Sequence, residues 1–378
     1  MAGIYIHIPF CKSRCKYCDF YSTLALSQRG RYVEALKREL ELREADFKRI
    51  MRENGECLQT VYLGGGTPST LCESNVADLI NAIRSRFNTS FIKEITMEAN
   101  PGDLTEEKLR KLREAGVNRL SLGIQSFNDR LLKIIGRRHS AQEALDVVRM
   151  AKRAGFTNIS IDLMYGLPTE TLEDWQKDVE TAISLDIQHV SAYCLTYEES
   201  TPLYEALMQN EVQELPDELL NEMQDCIEDM LQHSGIIRYE ISNYAKENYE
   251  SKHNSSYWTG AAYMGLGAGA HSYDGQFCRQ FNPDSLMKYL QSIEDGRLAL
   301  TDEILTETDR FNEAVMLGLR TRKGVDLSRF SEKDRFFIRK QAFPYFENQL
   351  LEQDGDVIRA THSGTRLLNA IIEDLMKE

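Results

Sequence analysis

Three cysteines near the N-terminus are the residues whose types and spacing point most directly to chemistry. Cys11, Cys15 and Cys18 follow an apolar run in the pattern C-x3-C-x2-C. Thiolates this close together can hold a metal centre, and two kinds of centre suit such a loop. One is a zinc site with His7 as a fourth ligand. The other is an iron–sulfur cluster.

The number of ligands helps to separate these two readings. Structural zinc sites usually combine two ligand pairs that lie apart in sequence, and no second C-x2-C or H-x3-H pair occurs in this chain. A 4Fe-4S cluster normally takes four cysteines, so three leave one iron open to a small molecule. The spacing therefore favours an iron–sulfur cubane over zinc. The remaining cysteines are scattered and are expected to be buried or idle thiols, namely Cys57, Cys72, Cys194, Cys226 and Cys278.

The elements that must position this loop are strands and helices in alternation. Stretches rich in β-branched and large apolar residues predict six strands, at 3–8, 60–65, 94–99, 119–124, 159–164 and 189–196. Helical patterns lie between them, and one begins at the capping box of Ser140 and Glu143. Such alternation predicts a mostly parallel sheet. A closed eight-stranded barrel needs about 250 residues, so six units in the first 200 predict an open, partial (β/α)6 TIM-like barrel.

Polar or glycine-rich features follow the predicted strands at the edge where such folds carry their sites. Gly64–Pro68 follow the second strand, Glu98 ends the third, Gln125 follows the fourth, and Asp162 lies in the fifth. Consecutive glycines let a backbone approach a ligand closely. Each feature also has a structural reading, as a tight turn, a helix cap or a backbone partner. Their shared register with the cysteine loop favours one common site.

The second half of the chain loses this alternation. The patterns predict a helix at 215–234, a strand at 238–246 and an aromatic, glycine-rich loop at 251–273. Helices at 308–320 and 331–350, a hairpin turning at Asp354-Gly355 and a final helix from Thr365 then resemble a winged-helix module. The predicted division is a partial barrel at 1–200, an irregular extension at 201–300, and a C-terminal α+β, winged-helix-like domain at 301–378.

Composition limits the partners. The 378 residues are 42% hydrophobic and 28% charged, with a net charge of −14. No apolar run approaches the ~18 residues of a membrane span, and the N-terminus lacks the features of a secretory signal, so we expect a cytoplasmic protein. So acidic a surface repels phosphate backbones, which argues against a nucleic-acid partner and against an RNA-modifying activity.

The motifs together resemble a known group. The C-x3-C-x2-C spacing is similar to that of the radical S-adenosylmethionine (SAM) enzymes. In order, YIHIPFCKSRCKYCDF, YLGGGTPS, ITMEANPG, NRLSLGIQSF, GRRH and DLMYGLP resemble the oxygen-independent coproporphyrinogen III oxidases (HemN) and their relatives, the HemW haem chaperones, over nearly the whole chain. The resemblance implies a 4Fe-4S cluster held by Cys11, Cys15 and Cys18. It implies SAM contacts from Tyr5, Tyr17, Gly65, Gly66, Thr67, Glu98, Gln125, Arg137 and Asp162.

Two features favour the chaperone side of this group. The oxidases carry a further cysteine two places after the third, whereas this chain has Phe20 there. The stretch HNSSYW, which begins at His253, matches the pattern HNxxYW that the chaperones share and connect with haem. A neutral imidazole is a good axial ligand for haem iron, so the resemblance predicts that His253 binds haem. Without it, such a histidine is more often bonded to local backbone, and we read His7 and His271 as structural.

The sequence thus predicts a haem chaperone that passes haem to acceptor haemoproteins, with membrane-bound respiratory enzymes as candidates. The alternative is oxidative decarboxylation of coproporphyrinogen III, which the absence of the fourth cysteine disfavours. Radical SAM chemistry on tRNA is a third hypothesis, and the net charge of −14 disfavours it.

Overall fold

A single open sheet forms the centre of the molecule. The computed structural model describes all 378 residues. Six parallel strands from the first half of the chain form the middle of the sheet: β1 (Ala2–Ile8), β2 (Leu58–Gly65), β3 (Glu94–Ala99), β4 (Arg119–Gln125), β5 (Ile159–Tyr165) and β6 (His189–Cys194). All six predicted strands are confirmed.

Helices connect these strands and cover one face of the sheet. They are α1 (Arg29–Glu53), α2 (Glu73–Arg86), α3 (Glu106–Ala115), α4 (Asp129–Ile134), α5 (Ala141–Arg153) and α6 (Leu172–Ser184). The predicted capping box at the start of α5 is present, with Ser140 and Glu143 bonded reciprocally. Alternate strand residues such as Ile4 and Ile6 join helix residues such as Leu36 in one large hydrophobic core. This burial is what holds the strands in register.

The next hundred residues extend the sheet on both sides. They form α7 (Pro202–Met208), α8 (Asp217–His233), β7 (Ile237–Arg238), β8 (Asn243–Ala245), α9 (Lys252–Trp258), β9 (Tyr263–Leu266), β10 (His271–Tyr273), β11 (Cys278–Phe281), α10 (Leu286–Glu294) and β12 (Thr301–Ile304). The strand order is β12-β11-β10-β9-β1-β2-β3-β4-β5-β6-β8-β7. Strand β9 is parallel to β1, and the outer strands run antiparallel to their neighbours. The sheet does not close, which confirms the open α/β barrel, although with twelve strands rather than six.

Two local predictions in this region were wrong. The segment 251–273 is not a loop, because it contains α9, β9 and β10. A seven-residue helix has little stability of its own, and α9 is held by tertiary contacts that no sequence pattern reveals. The backbone amides of Lys252 and His253 donate to the carboxylate of Glu94 at 3.0 and 3.1 Å. The predicted strand at 238–246 is also broken into β7 and β8, which pair antiparallel with each other.

The C-terminal part has its own small core. It contains α11 (Glu307–Leu319), β13 (Val325–Asp326), α12 (Glu332–Glu347), β14 (Leu351–Asp354), β15 (Val357–Ala360), α13 (His362–Thr365) and α14 (Leu368–Leu375). The two predicted helices and the hairpin at Asp354-Gly355 are confirmed, and β13, β15 and β14 form a three-stranded sheet. Phe311, Val315 and Ile338 lie in a hydrophobic cluster whose buried members all come from residue 311 onward, and the partly buried Ile241 packs against it. The three-domain division itself stays a prediction.

Candidate functional site

The side chains that alternate with the aliphatic core residues give the central strands a polar face. This polar face consists of Tyr5 and His7 on β1, Thr60 and Tyr62 on β2, Glu94, Thr96 and Glu98 on β3, Arg119 and Ser121 on β4, Ser160 and Asp162 on β5, and His189, Ser191 and Tyr193 on β6. Parallel pairing places them side by side, since residues two apart on a strand share a face. A buried surface this polar is uncommon unless it serves a ligand.

The cysteine loop lies at the C-terminal end of β1. The Cys11 amide donates to the Thr23 carbonyl at 2.9 Å, which closes the loop at its base. The Sγ of Cys11 lies 3.3 Å from the hydroxyl of Thr67 on the loop after β2. An Nη1 hydrogen of Arg137 points to the Sγ of Cys15 at 3.4 Å. The structure therefore brings two predicted SAM contacts, Thr67 and Arg137, against two predicted cluster ligands.

All three cysteines of the loop are free thiols. Burial raises the pKa of Cys11 and raises that of Cys18 to about 11, and the other thiolates of the loop push both in the same direction. A bound metal centre would hold them deprotonated, because metal ligation selects the thiolate. His7, the fourth ligand of the zinc alternative, has one ring nitrogen bonded to the Tyr5 hydroxyl and the other to the Tyr21 carbonyl, each at 3.1 Å. No three His, Cys, Asp or Glu side chains converge as they would around a single metal ion.

The glycines at the end of β2 are needed for close packing against β1 and the cysteine loop. Gly65 has a φ of +108°, and a Cβ on it would lie 2.6 Å from the ring of His7. A Cβ on Gly66 would lie 2.8 Å from the carbonyl carbon of Pro9 and 3.1 Å from the Sγ of Cys11. A side chain at Gly65 would displace the His7 ring, and one at Gly66 would displace the start of the cysteine loop. The tight-turn reading of these glycines and the site reading are therefore compatible.

Buried carboxyl groups and one guanidinium share the middle of the polar face. Glu98 accepts hydrogen bonds from the Tyr62 hydroxyl at 2.8 Å and the Gly65 amide at 3.1 Å. Burial raises its pKa to about 7, and burial also raises the pKa of Asp162, to which Ser121 donates at 3.2 Å. Arg119 is 1% exposed, and its Nε and Nη1 have no hydrogen-bond partner. Such orphaned atoms mark places where a ligand or water completes the bonding.

The end of β4 shows a second set of unsatisfied groups. Gln125 has a φ of +70° at an irregularity in the strand, and its Oε1 is buried without a partner. Arg137 donates from Nη2 to the Gly123 carbonyl, while its Nε is also unpartnered. Tyr17 lies beside Arg137, and burial raises the pKa of its hydroxyl. A non-glycine residue in the left-handed region costs about 1–3 kcal/mol and is often found at functional sites. A ligand that carries both an ammonium and a carboxylate would find partners of both signs here.

His253 is buried against the Thr60 and Tyr62 side chains of β2. It is 0% exposed; its Nδ1 is bonded to the Thr60 hydroxyl and its Nε2 to the Tyr257 hydroxyl, both at 2.8 Å. Its ring stacks on that of Tyr62 at 5.0 Å. Burial, helped by Arg119, lowers its pKa to about 3, so the imidazole is neutral. Haem ligation by His253 stays a prediction, and it requires one of these hydrogen bonds to break.

A large cavity lies between the C-terminal part and the β1 side of the sheet, where Tyr5 and His7 are the two residues of the polar face that line it. Its volume is about 2230 Å³, above the ~300–1,000 Å³ of ordinary small-molecule sites. Phe20, which is 70% exposed, lines it next to the cysteine loop, and Tyr257 and Trp258 of α9 line it from below. Eight Lys or Arg and seven Asp or Glu side chains line the cavity, so the charges of its wall nearly cancel. The chain as a whole, by contrast, has a net charge of −14.

The sequence analysis missed several residues of this region. Thr60, Glu94 and Arg119 lie near the start of their strands on the polar face, and Tyr62 connects Glu98 with His253. The signal was present, because polar residues alternate with apolar ones along β2, β3 and β4. The apolar residues were used to predict the strands, and the polar residues between them were not interpreted as one face of the sheet.

Comparisons with known proteins agree with this architecture. The Radical SAM superfamily matches residues 5–182, and the HemN C-terminal domain matches residues 305–367. The chain is 38% identical to the Bacillus subtilis protein named "Heme chaperone HemW", with all of both chains covered. It is 36% identical to the Lactococcus lactis protein of the same name, with 98% of this chain and 96% of that protein covered.

Among solved structures, the coproporphyrinogen III oxidase (HemN) of Escherichia coli is similar over 100% of this chain and 90% of that one. The TM-score is 0.82 at 23% sequence identity. This likeness concerns the fold. No helix of the structure has the length and apolar character that crossing a membrane requires.

Proposed function

Because the chain belongs to the HemW family of radical SAM proteins, we propose that it binds haem and transfers it to acceptor haemoproteins. Membrane-bound respiratory enzymes are the candidate acceptors. The observation that carries the proposal is the cavity of about 2230 Å³. Its volume is large enough for a tetrapyrrole, aromatic rings line it, and it borders the end of the cysteine loop at Asp19 and Phe20. Flat apolar rings are suited to the faces of a porphyrin.

The proposal includes a 4Fe-4S cluster and SAM as resident groups. Cys11, Cys15 and Cys18 would hold the cluster, and the residues present fit it, since three unpaired thiols share one loop and Arg137 offers a cation to Cys15. When both are bound, the reduced cluster would supply an electron to the sulfonium of SAM. The proposed SAM contacts lie around the same loop, and the orphaned Gln125 Oε1 and Arg137 Nε support a polar ligand there.

The chain's own residues would prepare this site in two ways. Glu98 and Asp162 sit on the polar face with raised pKa values, so a cationic ligand nearby would favour their ionised forms. The Gly65-Gly66 turn keeps the loop after β2 in contact with the cysteine loop. Tyr5, whose hydroxyl is bonded to His7 and whose ring stacks on Tyr62 at 6.1 Å, would border the ligand from β1.

The experiment uses anaerobically reconstituted protein in two parallel incubations. In one, haem-loaded protein is mixed with the haem-free form of a b-type cytochrome, and the rate at which the holo-cytochrome forms is measured. The same rate is measured with haem-loaded serum albumin as a passive donor. In the other, cluster-loaded protein receives coproporphyrinogen III and SAM. We expect faster transfer than from albumin and no protoporphyrinogen IX. Failure to bind haem, transfer no faster than from albumin, or formation of protoporphyrinogen IX would each overturn the proposal.

A further inference from the structure

We propose that the haem lies against the cavity face of β9, β10 and β11 and that His271 is its axial ligand. The inference rests on the proposed haem-binding function and names a site for it. It differs from the sequence analysis, which assigned the ligand to His253 and read His271 as structural.

The strands dictate which side chains face the cavity. In the antiparallel pair of β10 and β11, His271 is opposite Phe281 and Tyr273 is opposite Arg279. Opposite residues share a face, and residues two apart on a strand share it too. All four side chains line the cavity. Ser272, which lies between His271 and Tyr273, points the other way and is bonded to Arg43 at 2.9 Å.

His271 is set apart from the other histidines by its free ring nitrogens. Only His7 and His271 of the seven histidines line the cavity. Both nitrogens of His7 are bonded, at 3.1 Å each. His271 is exposed, and its ring makes no hydrogen bond or ion pair within the protein. The ring meets that of Phe281 edge-on, with centroids 4.5 Å apart, which fixes its orientation.

The protonation state suits ligation as well as the geometry does. Partial burial and the charge of Arg279 lower the pKa of His271, so its imidazole is neutral at physiological pH. Haem iron takes the neutral form of histidine.

The opposite wall of the cavity offers partners for the two propionates. Arg322 and Lys323, in the turn between α11 and β13, line the cavity, are exposed and form no ion pair. By contrast, Arg279 on the His271 face already has the carboxylate of Glu313 at 2.5 Å. Guanidinium and ammonium groups without a partner can donate charge-assisted hydrogen bonds to the propionate carboxylates. The haem would therefore bridge the central sheet and the C-terminal part.

His253 has a positioning role in this arrangement. It is bonded to the Tyr257 hydroxyl at 2.8 Å, and Tyr257 lines the cavity. Its loss would disturb the wall but would not remove an iron ligand. This difference can be read from the spectrum.

The test is a haem titration of the full chain, free of cluster and with reductant present. Wild type is compared with His271→Ala, His253→Ala and, as a matched control, His233→Ala, an exposed histidine outside the cavity. We expect His271→Ala to weaken haem binding at least about tenfold and to shift the Soret maximum. Added imidazole should restore the wild-type maximum in that variant. His253→Ala should keep the wild-type maximum even if its affinity falls, and His233→Ala should match wild type in both.

A second variant tests the propionate contacts. Reversing both charges in Arg322→Glu with Lys323→Glu should weaken binding severalfold and leave the Soret maximum unchanged. Equal affinity and spectrum in His271→Ala and wild type would overturn the assignment. So would loss of the axial-ligand spectrum in His253→Ala alone. A wild-type protein that binds no haem would instead overturn the proposed function, so the two failures can be told apart.

Discussion

Replacing His253 with alanine should destabilise the chain far more than replacing an exposed histidine. The imidazole is fully buried and bonded to Thr60 and Tyr257. The Thr60 hydroxyl would lose its partner in a buried place, at about 1–3 kcal/mol. The lost bond to Tyr257 adds about 1 kcal/mol, and the lost stacking on Tyr62 adds about 1 kcal/mol. We therefore expect a loss of about 3–5 kcal/mol at pH 7.5.

The assay is thermal unfolding of cluster-free protein in the presence of reductant. An unfolding entropy of ~2.1 cal/mol/K per residue gives about 0.8 kcal/mol/K for 378 residues. A loss of 4 kcal/mol would then lower Tm by about 5 °C. His233→Ala is the control, because His233 is exposed and is bonded only to the Asp229 carbonyl. Its Tm should change by less than about 1 °C, as for most surface substitutions.

The pH dependence makes this prediction sharper. The pKa of His253 is lowered to about 3 in the folded state and is 6.5 when unperturbed. Below pH 6.5 the His253 imidazole takes up a proton in the unfolded chain but not in the folded chain. The free energy of unfolding of wild type therefore falls by about 1.4 kcal/mol for each pH unit of acidification. The alanine variant has no such group. The stability gap should therefore shrink by about 2 kcal/mol between pH 6.5 and pH 5. A gap below 1 kcal/mol at pH 7.5, or one that does not narrow with acid, would refute the reasoning.

Three further outcomes follow from the site. Cys15→Ser should lose most of the iron of anaerobically reconstituted protein, whereas Cys72→Ser should keep it; equal iron in both would exclude Cys15 as a ligand. Glu98 keeps its proton up to about pH 7 when folded but only to about pH 4.5 when unfolded, so the stability of wild type falls by about 1–3 kcal/mol as pH rises through that window. Glu98→Gln should lack this loss; urea midpoints that change equally in wild type and Glu98→Gln between pH 5 and pH 8 would contradict the prediction. The Asp103 side chain, which is 1% exposed, pairs with Lys12 of the cysteine loop at 2.7 Å. Asp103→Asn should make a chelator bleach the cluster about fivefold faster, for a loss of about 1 kcal/mol, and an unchanged rate would show that this ion pair does not secure the loop.

Much of the central architecture could be predicted from the sequence, because it depends on local patterns. The six parallel strands and the capping box of α5 are recorded in short stretches of side-chain type. The strands β9 to β12 could not be found in the same way. They are three or four residues long and owe their existence to pairing with β1 and with one another, and so short a strand carries little signal of its own.

The candidate site shows the same limit at the level of single residues. The motifs named Cys11, Thr67 and Arg137, which the structure brings together. They also drew attention to His253, but its burial and its bonds to Thr60 and Tyr257 depend on β2 and on α9, which was taken for a loop. Conversely, His271 looked structural because small residues surround it. A residue's environment across the sheet decides whether its ring nitrogens are free.

The position of β1 affects when the sheet can be completed as a new chain emerges from the ribosome. One side of β1 pairs with residues 58–65 and the other with residues 263–266. At about 5–20 residues per second, the second partner emerges roughly 13–50 s after the first strand. During that interval the second edge of β1 has no neighbour, and the nascent cysteine loop lacks the bond that later ties the Tyr21 hydroxyl to the Leu286 amide. Iron delivered to the growing polypeptide would therefore meet a more open loop than iron delivered to the finished one.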